Sequence, residues 1–299
     1  MAAANAETLS SNLNSSSWGL IAGNGTFPFL VLEGARSRGI EMAVIAIREE
    51  ASPDLERFAS RIHWVSLGEL SKTIDLLHKE GVKQAVMAGQ VKHNKIFSSI
   101  RPDWRLAKLL FALPSKNTDS LIGAVAKVLE DEGIELVDST KFLGPLLPAP
   151  GVLTRRAPDE LEAADMEYGL HVARHIAELD LGQMVVVRDK ACVAIEAMEG
   201  TDETIERAAR IAGGQKIVVV KVSKPKQDMR FDVPVVGLRT IELMGRLNAT
   251  AMAIDAYRTL LFERDEMIEK ADAAGIAIQA FQPAKQHTDA KKASQTRKS

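Results

Sequence analysis

A polar loop in the second half of the chain combines the residue types that phosphoanhydride chemistry needs. Residues 224–234 hold two lysines, one arginine and the carboxylates Asp228 and Asp232. Hydrolysis of a phosphoanhydride is favoured by cations that neutralise the non-bridging oxygens and by a carboxylate that binds Mg²⁺ or orients water. The loop is therefore a candidate hydrolytic site, and a solvated, charged surface loop is the alternative.

Two glycine turns are candidate contacts for phosphate. Residues 23–25 (Gly-Asn-Gly) join a predicted strand to a predicted helix, whose N-terminus would attract a phosphate group. Residues 88–92, which end in Lys92, follow another predicted strand at the sheet edge where α/β proteins bind ligands. Pro28 stands where a dinucleotide fingerprint has its third glycine. Purely structural turns stay open as the alternative.

Two further groups of polar residues accompany these turns. Glu196, Glu199 and Asp202 lie near the start of a predicted helix, where they could meet a metal ion or a sugar hydroxyl. The alternative is that Thr201 or Asp202 only caps the helix. The arginines at positions 155 and 156 could clamp a phosphate or be solvated.

Histidine and cysteine are weaker signals. His171 and His175 have the i, i+4 spacing of a zinc pair, but position 172 is not the glutamate of the zinc-protease motif. The single cysteine, Cys192, excludes an intrachain disulfide and any zinc site built from several cysteines. Because Cys192 alternates with apolar residues, we predict that it belongs to the core.

Strands and helices alternate in the first half of the sequence, which predicts a mostly parallel sheet covered by helices. Predicted strands occupy residues 18–25, 41–47, 62–65, 84–88 and 134–137, and predicted helices occupy 27–38, 69–80, 103–112 and 118–132. Residues 144–151 contain three prolines and two glycines, a density that neither a helix nor a central strand tolerates. We place the boundary between two α/β domains there.

The second half repeats the mixture of strands and helices around a long polar loop. Predicted helices occupy residues 158–179, 238–247 and 264–274, and a further helical run follows residues 200–202 and ends at Ile211. Predicted strands occupy 183–187, 192–196, 216–222, 251–255, 259–263 and 276–280. The strands at 183–187 and 192–196 are predicted to form a hairpin. Residues 223–237 form the long loop, and long loops in compact domains are often functional.

Length and composition indicate an ordinary globular protein of about two domains. The 299 residues are 46% hydrophobic and 26% charged, with 38 basic and 40 acidic side chains and a net charge of −2. This balance gives no sign of a nucleic-acid-binding protein. No apolar run approaches the roughly 18–20 residues of a membrane span, and residues 1–17 do not resemble a secretory signal. The single cysteine fits a cytoplasmic setting.

Several segments, taken together and in order, resemble the LpxI type of UDP-2,3-diacylglucosamine pyrophosphatase. The resemblance runs from about residue 19 to residue 279. It is carried by Gly-Leu-Ile-Ala-Gly-Asn-Gly (19–25), Val-Met-Ala-Gly-Gln-Val (86–91), Gly-Val-Leu-Thr-Arg-Arg-Ala-Pro (151–158), Leu-Asp-Leu-Gly-Gln-Met-Val-Val-Val (179–187), Ala-Ile-Glu-Ala-Met-Glu-Gly-Thr-Asp (194–202), Lys-Pro-Lys-Gln-Asp-Met-Arg-Phe-Asp-Val-Pro-Val-Val-Gly (224–237) and Ala-Gly-Ile-Ala (274–277).

The resemblance implies a fold and an activity. It implies a Rossmann-like N-terminal domain and a second α/β domain, joined by a Pro/Gly linker, with the substrate between them. The expected division is a disordered tail (1–17), the Rossmann-like domain (18–145), the linker (146–152), the C-terminal catalytic domain (153–282) and a basic tail (283–299). It further implies Mg²⁺- or Mn²⁺-dependent hydrolysis of UDP-2,3-diacylglucosamine to UMP and 2,3-diacylglucosamine 1-phosphate (lipid X), a step of lipid A biosynthesis.

The resemblance also assigns roles to residues. Asp232 corresponds to the family's important aspartate and would bind metal or orient water, and Asp228 would be a second metal ligand. The expected substrate contacts are Gly23, Asn24, Gly25, Ala88, Gly89, Thr154, Arg155, Arg156, Gly182, Gln183, Glu199, Gly200, Thr201, Asp202 and Lys224. The turn often has three glycines in the family, so Asn24 is a departure from its pattern.

The resemblance places the enzyme in the cytoplasm, in peripheral contact with the inner face of the inner membrane of a Gram-negative bacterium. A diacylated substrate needs an apolar wall. Candidates for that wall are Phe27, Phe29, Phe97, Trp104 and Leu146, which would more often be core residues. The helical surface of residues 238–247 could form an isologous homodimer.

Two other functions stay open. A nucleotide-dependent oxidoreductase would need an acidic residue near the end of the second strand, where Glu49 and Glu50 stand, but Pro28 argues against it. A non-catalytic module that binds a nucleotide sugar would keep its affinity without Asp232 and would show no metal-dependent turnover.

Overall fold

The first half of the chain forms a five-stranded sheet in which every strand is parallel to its neighbours. The computed structural model describes residues 17–91, 101–113 and 118–283. The strands are β1 (Ser17–Ala22), β2 (Met42–Ile47), β3 (Arg61–Val65), β4 (Val82–Ala88) and β5 (Glu135–Leu136). Their order is β3-β2-β1-β4-β5. The order therefore reverses between β1 and β4, the place where doubly wound sheets bind ligands.

Helices cover this sheet with their apolar faces. They are α1 (Phe27–Arg36), α2 (Leu55–Phe58), α3 (Leu70–Lys79), α4 (Trp104–Ala112) and α5 (Thr118–Asp131). Apolar side chains of α3, α4 and α5, such as Leu77, Leu106 and Leu129, pack with Ile45 of the sheet. Asp103 begins α4, because its carboxylate accepts a hydrogen bond from the Leu106 N–H at 2.9 Å.

The second half forms a six-stranded mixed sheet. Its strands are β6 (Gly151–Val152), β7 (Met184–Arg188), β8 (Ala191–Ile195), β9 (Ile217–Lys221), β11 (Ala249–Asp255) and β13 (Ala277–Phe281), while β10 (Val235–Val236) and β12 (Leu260–Leu261) form a separate pair. The order is β6-β13-β11-β9-β7-β8. The central strands β13, β11 and β9 are parallel, and β6, β7 and β8 pair antiparallel to their neighbours.

Four helices enclose the second sheet: α6 (Glu160–Glu178), α7 (Thr201–Ile211), α8 (Leu238–Arg246) and α9 (Arg264–Ala273). Along β9, Val218 and Val220 pack with residues of α6, whereas Val219 packs with the cluster that contains residues of α7, α8 and α9. This alternation produces a three-layer α/β/α arrangement.

Close packing of α6 on the sheet depends on Gly169. A Cβ atom at that position would lie 2.5 Å from Cγ2 of Val220, so the helix could not approach the sheet so closely with any other residue there.

The chain divides into two compact units. One short segment belongs to the first unit, although the residues before and after it in sequence belong to the second. The first unit comprises the described residues up to Leu143 together with Met229–Asp232, and the second runs from Gly144 to Asp228 and from Val233 onward. The sequence predicts that residues 229–232 belong to the C-terminal domain. The structure instead groups them with the first unit.

The α/β class and its two-domain organisation are confirmed, with a few local differences. Helix α2 is not predicted from the pattern, and the predicted strand at 259–263 shortens to β12. The long loop at 223–237 contains β10, which pairs only with the distant β12 in the described structure. Lys92 and Phe97, and the tails at 1–16 and 284–299, lie outside the described residues. Within the described ranges, no helix combines the length and apolar character needed to cross a membrane.

Candidate functional site

The two predicted glycine turns of the first unit lie side by side at the carboxyl edge of its sheet. The Gly23 N–H donates to the Ala88 carbonyl at 2.8 Å, which continues the pairing of β1 with β4. Asn24 and Gln90 then exchange two backbone hydrogen bonds of 2.9 and 3.0 Å. Both turns therefore occupy the point where the strand order reverses.

Glycine is required at these turn positions for different structural reasons. A Cβ on Gly23 would lie 2.8 Å from the Gln90 oxygen, and a Cβ on Gly89 would lie 2.6 Å from the Asn24 oxygen. These two glycines are needed for the turns to pair with each other. Gly25 has a φ of +92° and nothing within 4 Å of a Cβ position, so it leaves open space beside α1.

The segment that holds Asp232 is anchored on the same unit. The Ser139 N–H donates to the Met229 carbonyl at 2.9 Å, and Ser139 Oγ lies 2.6 Å from the Arg230 carbonyl. Ser139 Oγ also lies 2.5 Å from the carbonyl of Met87 in β4. The half-buried Asp232 thus follows a segment that is held beside β4.

In the second unit, several predicted site residues share the carboxyl edge of β9 and β11. Met184 at the start of β7 pairs with Lys221 at the end of β9, so Gly182 and Gln183 lie at this edge. Strand β8 ends there too, followed by Glu196 and by the loop that leads into α7. The hairpin of β7 and β8 therefore brings segment 182–183 close to Glu196 at this edge.

Lys221 connects this group by hydrogen bonds, although the sequence indicates only that it lies within the predicted strand at 216–222. Its side chain is buried, and Nζ donates to Thr201 Oγ1 at 3.0 Å and to the Val235 carbonyl at 3.1 Å. Thr201 Oγ1 in turn donates to Glu196 Oε1 at 2.9 Å. A buried cation next to the first residue of α7 adds positive charge where a helix N-terminus already favours anions.

Gly182 and Gln183 contribute in different ways. A Cβ on Gly182 would lie 1.9 Å from the Glu196 carbonyl oxygen, so this glycine serves close packing. The Oε1 atom of Gln183 is buried, and no hydrogen-bond partner is found for it among the described residues. A buried amide oxygen without a partner is a natural acceptor for a bound ligand.

The acidic residues before α7 are engaged in local pairs. Glu199 Oε1 accepts from Arg207 Nη2 at 2.5 Å. A hydrogen bond from its own backbone N–H, together with those from Arg207 and the Ala197 N–H, lowers the pKa of Glu199 to about 2. Asp202 pairs with Arg239 Nε at 3.0 Å, and Gly200 begins α7 with a φ of 88°. These pairs favour a role in fixing the loop over direct metal binding.

Lys224 lies in a small polar pocket of about 30 Å³ in the second unit. The pocket is also lined by Arg174, Arg258, Glu178 and Asp255, none of which is predicted as a site residue from the sequence. Asp255 is 2% exposed, and its Oδ2 accepts from the N–H and the hydroxyl of Ser223, both at 2.7 Å. Its Oδ1 has no hydrogen-bond partner among the described residues and lies 4.0 Å from Arg174 Nη2.

An aspartate at the carboxyl end of an apolar strand is the sequence signal that could have revealed this pocket. Three cationic side chains line the pocket together with the carboxylates of Glu178 and Asp255, and Lys224 Nζ also pairs with Asp180 Oδ1 at 2.9 Å.

Thr154, Arg155 and Arg156 lie at the opposite, amino edge of the same sheet. Strand β6 runs antiparallel to β13, so the chain after β6 approaches the beginning of β13. The Thr154 hydroxyl accepts from the Ile278 N–H at 2.9 Å, and the Arg155 N–H donates to Asp272 at 2.7 Å. The structure therefore separates these residues from the other predicted contacts of the second unit.

Arg156 has a structural environment. Its five N–H groups all donate within the protein, to both oxygens of Glu162 and to the carbonyls of Ala157, Thr250 and Gly275. Hydrogen bonding to Glu162 raises the pKa of Arg156 further. A phosphate could bind Arg156 only by displacing one of these acceptors, whereas most of the Arg155 side chain is exposed.

The described residues contain no group of three or more His, Cys, Asp or Glu side chains that could hold a metal ion. His175 Nδ1 is 2.8 Å from the His171 carbonyl oxygen, and the centroids of the two rings lie 4.5 Å apart with their planes tilted by 55°. The half-buried Cys192 has a pKa raised by burial, as expected for a core thiol.

Comparisons with known proteins connect the two units to one family. The models of the LpxI N-terminal and C-terminal domains match residues 17–146 and 149–279. A curated protein of Caulobacter vibrioides, UDP-2,3-diacylglucosamine pyrophosphatase LpxI, is 32% identical over 275 residues, which cover 89% of this chain and 97% of that protein.

Similarity to solved structures is much weaker. A UDP-glucose 4-epimerase from Stenotrophomonas maltophila with bound NAD is 11% identical, with a TM-score of 0.26, over 40% of this chain and 34% of that one. The biotin carboxylase domain of the Hydrogenobacter thermophilus 2-oxoglutarate carboxylase is 12% identical, with a TM-score of 0.26, over 66% of this chain and 41% of that one. The chain thus spans less than half of each protein, and scores this low support no functional conclusion.

Proposed function

The chain belongs to the LpxI family, and from this premise we propose that it hydrolyses the pyrophosphate bond of UDP-2,3-diacylglucosamine. Water would add to one phosphorus, and the products would be UMP and 2,3-diacylglucosamine 1-phosphate (lipid X). The observation that carries the proposal is the match of both family domains, in order, along nearly the whole described chain.

The geometry of the first unit supports a role for Asp232. Its segment is fixed by Ser139 beside the strand that leads to Ala88 and Gly89, at the edge where sheets of this kind bind ligands. In the proposed reaction, Asp232 binds the metal or orients the attacking water. Asp228 is proposed as an additional metal ligand.

The second unit offers positive charge for the phosphate groups. Lys224, Arg174 and Arg258 line one pocket together with Glu178 and Asp255, and Lys221 lies at the same sheet edge. Lysine and arginine side chains neutralise the oxygens of a transferring phosphoryl group. Because its side chain is exposed, Arg155 stays a proposed contact for the substrate. The five hydrogen bonds of Arg156 within the protein favour a structural role for that residue.

The proposed cofactor is Mg²⁺ or Mn²⁺. The residues present fit such an ion only if the substrate's phosphate oxygens complete its coordination, since no cage of three protein ligands exists in the described chain. When bound, the ion would supply charge neutralisation at the phosphate oxygens and a lower pKa for bound water.

Measurement of UMP release with Mg²⁺ and with chelator tests the activity. We expect wild type to need the metal and Asp232→Asn to lose at least about 100-fold in kcat/KM, the scale seen when one electrostatic contact to the transition state is removed. Asp54→Asn is the matched control, because it changes an exposed carboxylate that pairs only with Arg57 among the described ion pairs. Its kcat/KM should stay within twofold of wild type.

Two other results would contradict the proposal. Binding of the lipid without cleavage by wild type would indicate a non-catalytic module. If wild type neither binds nor cleaves the lipid, UDP-2,3-diacylglucosamine is not its substrate, and nicotinamide cofactors would be tested next.

Peripheral contact with the membrane is the second part of the proposal. Trp104 and Phe111 lie seven residues apart on α4, 77% and 91% exposed, with the exposed Lys108 between them in sequence. Aromatic side chains and lysines favour the interface of an anionic bilayer.

Sedimentation with phosphatidylglycerol vesicles tests this contact. The double variant Trp104→Ser/Phe111→Ser should bind about tenfold more weakly than wild type. The control Leu161→Ser/Ile211→Ser removes two exposed apolar side chains of the second unit. Equal loss in both variants would exclude α4 as the contact surface.

A further inference from the structure

Asp255 is a buried carboxylate that binds the first residue of the polar loop at 223–237. It lies at the carboxyl end of β11, and its Oδ2 accepts hydrogen bonds from both the N–H and the hydroxyl of Ser223, each at 2.7 Å. Both residues are buried, so water competes little for these bonds, and the charge on the acceptor strengthens them. The Asp255–Ser223 contact therefore fixes the start of the loop on β11.

The other oxygen of Asp255 indicates a role beyond stability. Oδ1 is buried without a hydrogen-bond partner among the described residues, and Arg174 Nη2 lies 4.0 Å from it. Burial of a charged group is unfavourable unless hydrogen bonds and ion pairs replace its hydration. A carboxylate that is satisfied on one oxygen only is a costly way to stabilise a fold, so its contact with the loop calls for a functional explanation.

A closed turn connects the Asp255–Ser223 contact to the residues that follow. The Lys224 N–H donates to Gln227 Oε1 at 2.7 Å, and the Gln227 N–H donates to the Lys224 carbonyl at 3.0 Å. Pro225 occupies the second position of this turn, where its fixed φ restricts the backbone further. Residues 223–227 therefore form one stiff segment, and Asp255 holds its first residue.

Asp228, the proposed additional metal ligand, directly follows this stiff segment. On its other side, the Met229 carbonyl accepts from the Ser139 N–H at 2.9 Å. The backbone of Asp228 is thus fixed at the residue before it and at the residue after it. A ligand whose backbone is held in this way needs little rearrangement when an ion and a substrate bind.

We propose that Asp255 is a positioning residue for the hydrolysis, an inference that rests on the proposed function. Asp255 acts through Ser223 and the turn at 224–227, which together set the position of Asp228. A displacement of about 1 Å at a reacting group can lower a rate by about 100-fold. Loss of the Asp255–Ser223 contact should therefore slow turnover and weaken the response to Mg²⁺.

Asp165 provides a matched control in the same unit. It is also a buried carboxylate that accepts two hydrogen bonds, from the N–H groups of Asp189 at 3.1 Å and Lys190 at 2.6 Å. These bonds fix the hairpin between β7 and β8 and not the polar loop. Asp165→Ala thus removes a similar pair of bonds without changing the contact at Ser223.

The first test measures kcat, KM and the Mg²⁺ requirement for hydrolysis of UDP-2,3-diacylglucosamine. In Asp255→Ala, we expect kcat to fall about 100-fold with KM within threefold of wild type, and the Mg²⁺ concentration for half-maximal rate to rise at least fivefold. Asp255→Asn keeps an acceptor oxygen and should lose no more than about tenfold in kcat. Asp165→Ala should keep all three values within threefold. Equal effects of Asp165→Ala and Asp255→Ala would show that the proposal is wrong.

A double-mutant cycle distinguishes positioning through Ser223 from a direct effect of the Asp255 charge. Ser223→Ala removes one of the two hydrogen bonds and should lower kcat about tenfold in wild type. In Asp255→Ala the same change should cost less than twofold, because the bond is already lost there. If Ser223→Ala lowers kcat by the same factor in both backgrounds, Asp255 acts independently of Ser223 and the proposal is overturned.

Thermal unfolding identifies any variant that does not fold. If Asp255→Ala does not fold, Ser223→Ala alone decides: a loss of kcat at unchanged KM supports the proposal, and wild-type kcat contradicts it.

Hydrogen exchange of backbone amides, measured without metal or substrate, separates this inference from the proposed activity. Asp255→Ala should speed exchange across residues 223–229 at least tenfold, whereas Asp165→Ala should speed it only at the hairpin, residues 188–191. If wild type cleaves no UDP-2,3-diacylglucosamine but this pattern holds, Asp255 does hold the loop and the proposed activity fails. If exchange at 223–229 is unchanged in Asp255→Ala, the positioning role is wrong even when wild type is active.

Discussion

Adjacent arginines have different environments in this chain. Arg156 is bound on all five N–H groups, while the side chain of Arg155 is 86% exposed and pairs with Asp272. The sequence shows two equivalent cations just past a domain boundary. It cannot show the acceptors of Arg156 at positions 250 and 275, because they are brought to it only by the folded sheet.

The Arg156–Glu162 pair leads to a prediction about acid stability. Burial alone would raise the pKa of Glu162, but hydrogen bonds, first of all from Arg156, outweigh it and lower the pKa. A carboxyl whose pKa is lower in the folded state stabilises the protein above its unfolded pKa, near 4.5, and that contribution is lost as the pH falls. Wild type should therefore lose free energy of unfolding below about pH 4.5.

Glu162→Gln should be less stable than wild type by about 3 kcal/mol at pH 7, because it leaves Arg156 without its charged partner. Its stability should also fall less steeply with acid. Urea unfolding at pH 7, 5 and 3.5 measures both effects. Glu160→Gln, an exposed residue in the same helical turn, is the control, and an equal loss in both variants would contradict the prediction.

At the scale of elements, the amphipathic patterns locate most of the fold. Strand–helix alternation correctly predicts the central strands and the helices that cover them, and the segment between β7 and β8 forms the expected hairpin, with positive φ at Asp189 and Lys190. The pattern fails where pairing is short and distant, as for β10 with β12. It also cannot show that the antiparallel β6 directs residues 154–156 to the amino edge, away from the other predicted contacts.

Two helical glycines should respond in opposite ways to alanine. A methyl group on Gly169 of α6 meets Val220 at 2.5 Å, whereas Gly123 of α5 has nothing within 4 Å. Gly169→Ala should destabilise the protein by about 1–2 kcal/mol, because overpacking exceeds the gain in helix propensity. Gly123→Ala should stabilise it by up to about 1 kcal/mol. Thermal unfolding of the two variants measures the difference, and equal signs would refute it.

At the scale of the whole molecule, the first unit is discontinuous in sequence. Its last piece, Met229–Asp232, follows all of residues 144–228, which belong to the second unit. Local patterns predict the domain boundary near residue 144, but they cannot show that a tetrapeptide in a distant loop returns to Ser139. This return places the proposed catalytic aspartate with the glycine turns.

A split of the chain at the linker should expose this dependence. A fragment of residues 17–146 lacks Phe231, which packs on the apolar core cluster of the first unit, so the fragment should bind more 1-anilinonaphthalene-8-sulfonate than the intact chain. Coexpression with residues 147–299 should restore the wild-type signal, with the two fragments coeluting in size-exclusion chromatography. Independent elution, with no change in dye binding, would show that the tetrapeptide contributes little.

The same return of the chain has a consequence during synthesis. A ribosome makes about 5–20 residues each second, so the roughly 85 residues between the two parts of the first unit take about 4–17 s to appear. During that interval the nascent first unit lacks Phe231, so the apolar core residues that Phe231 packs against are incompletely covered. The core of the first unit can therefore be completed only after most of the second unit has been synthesised.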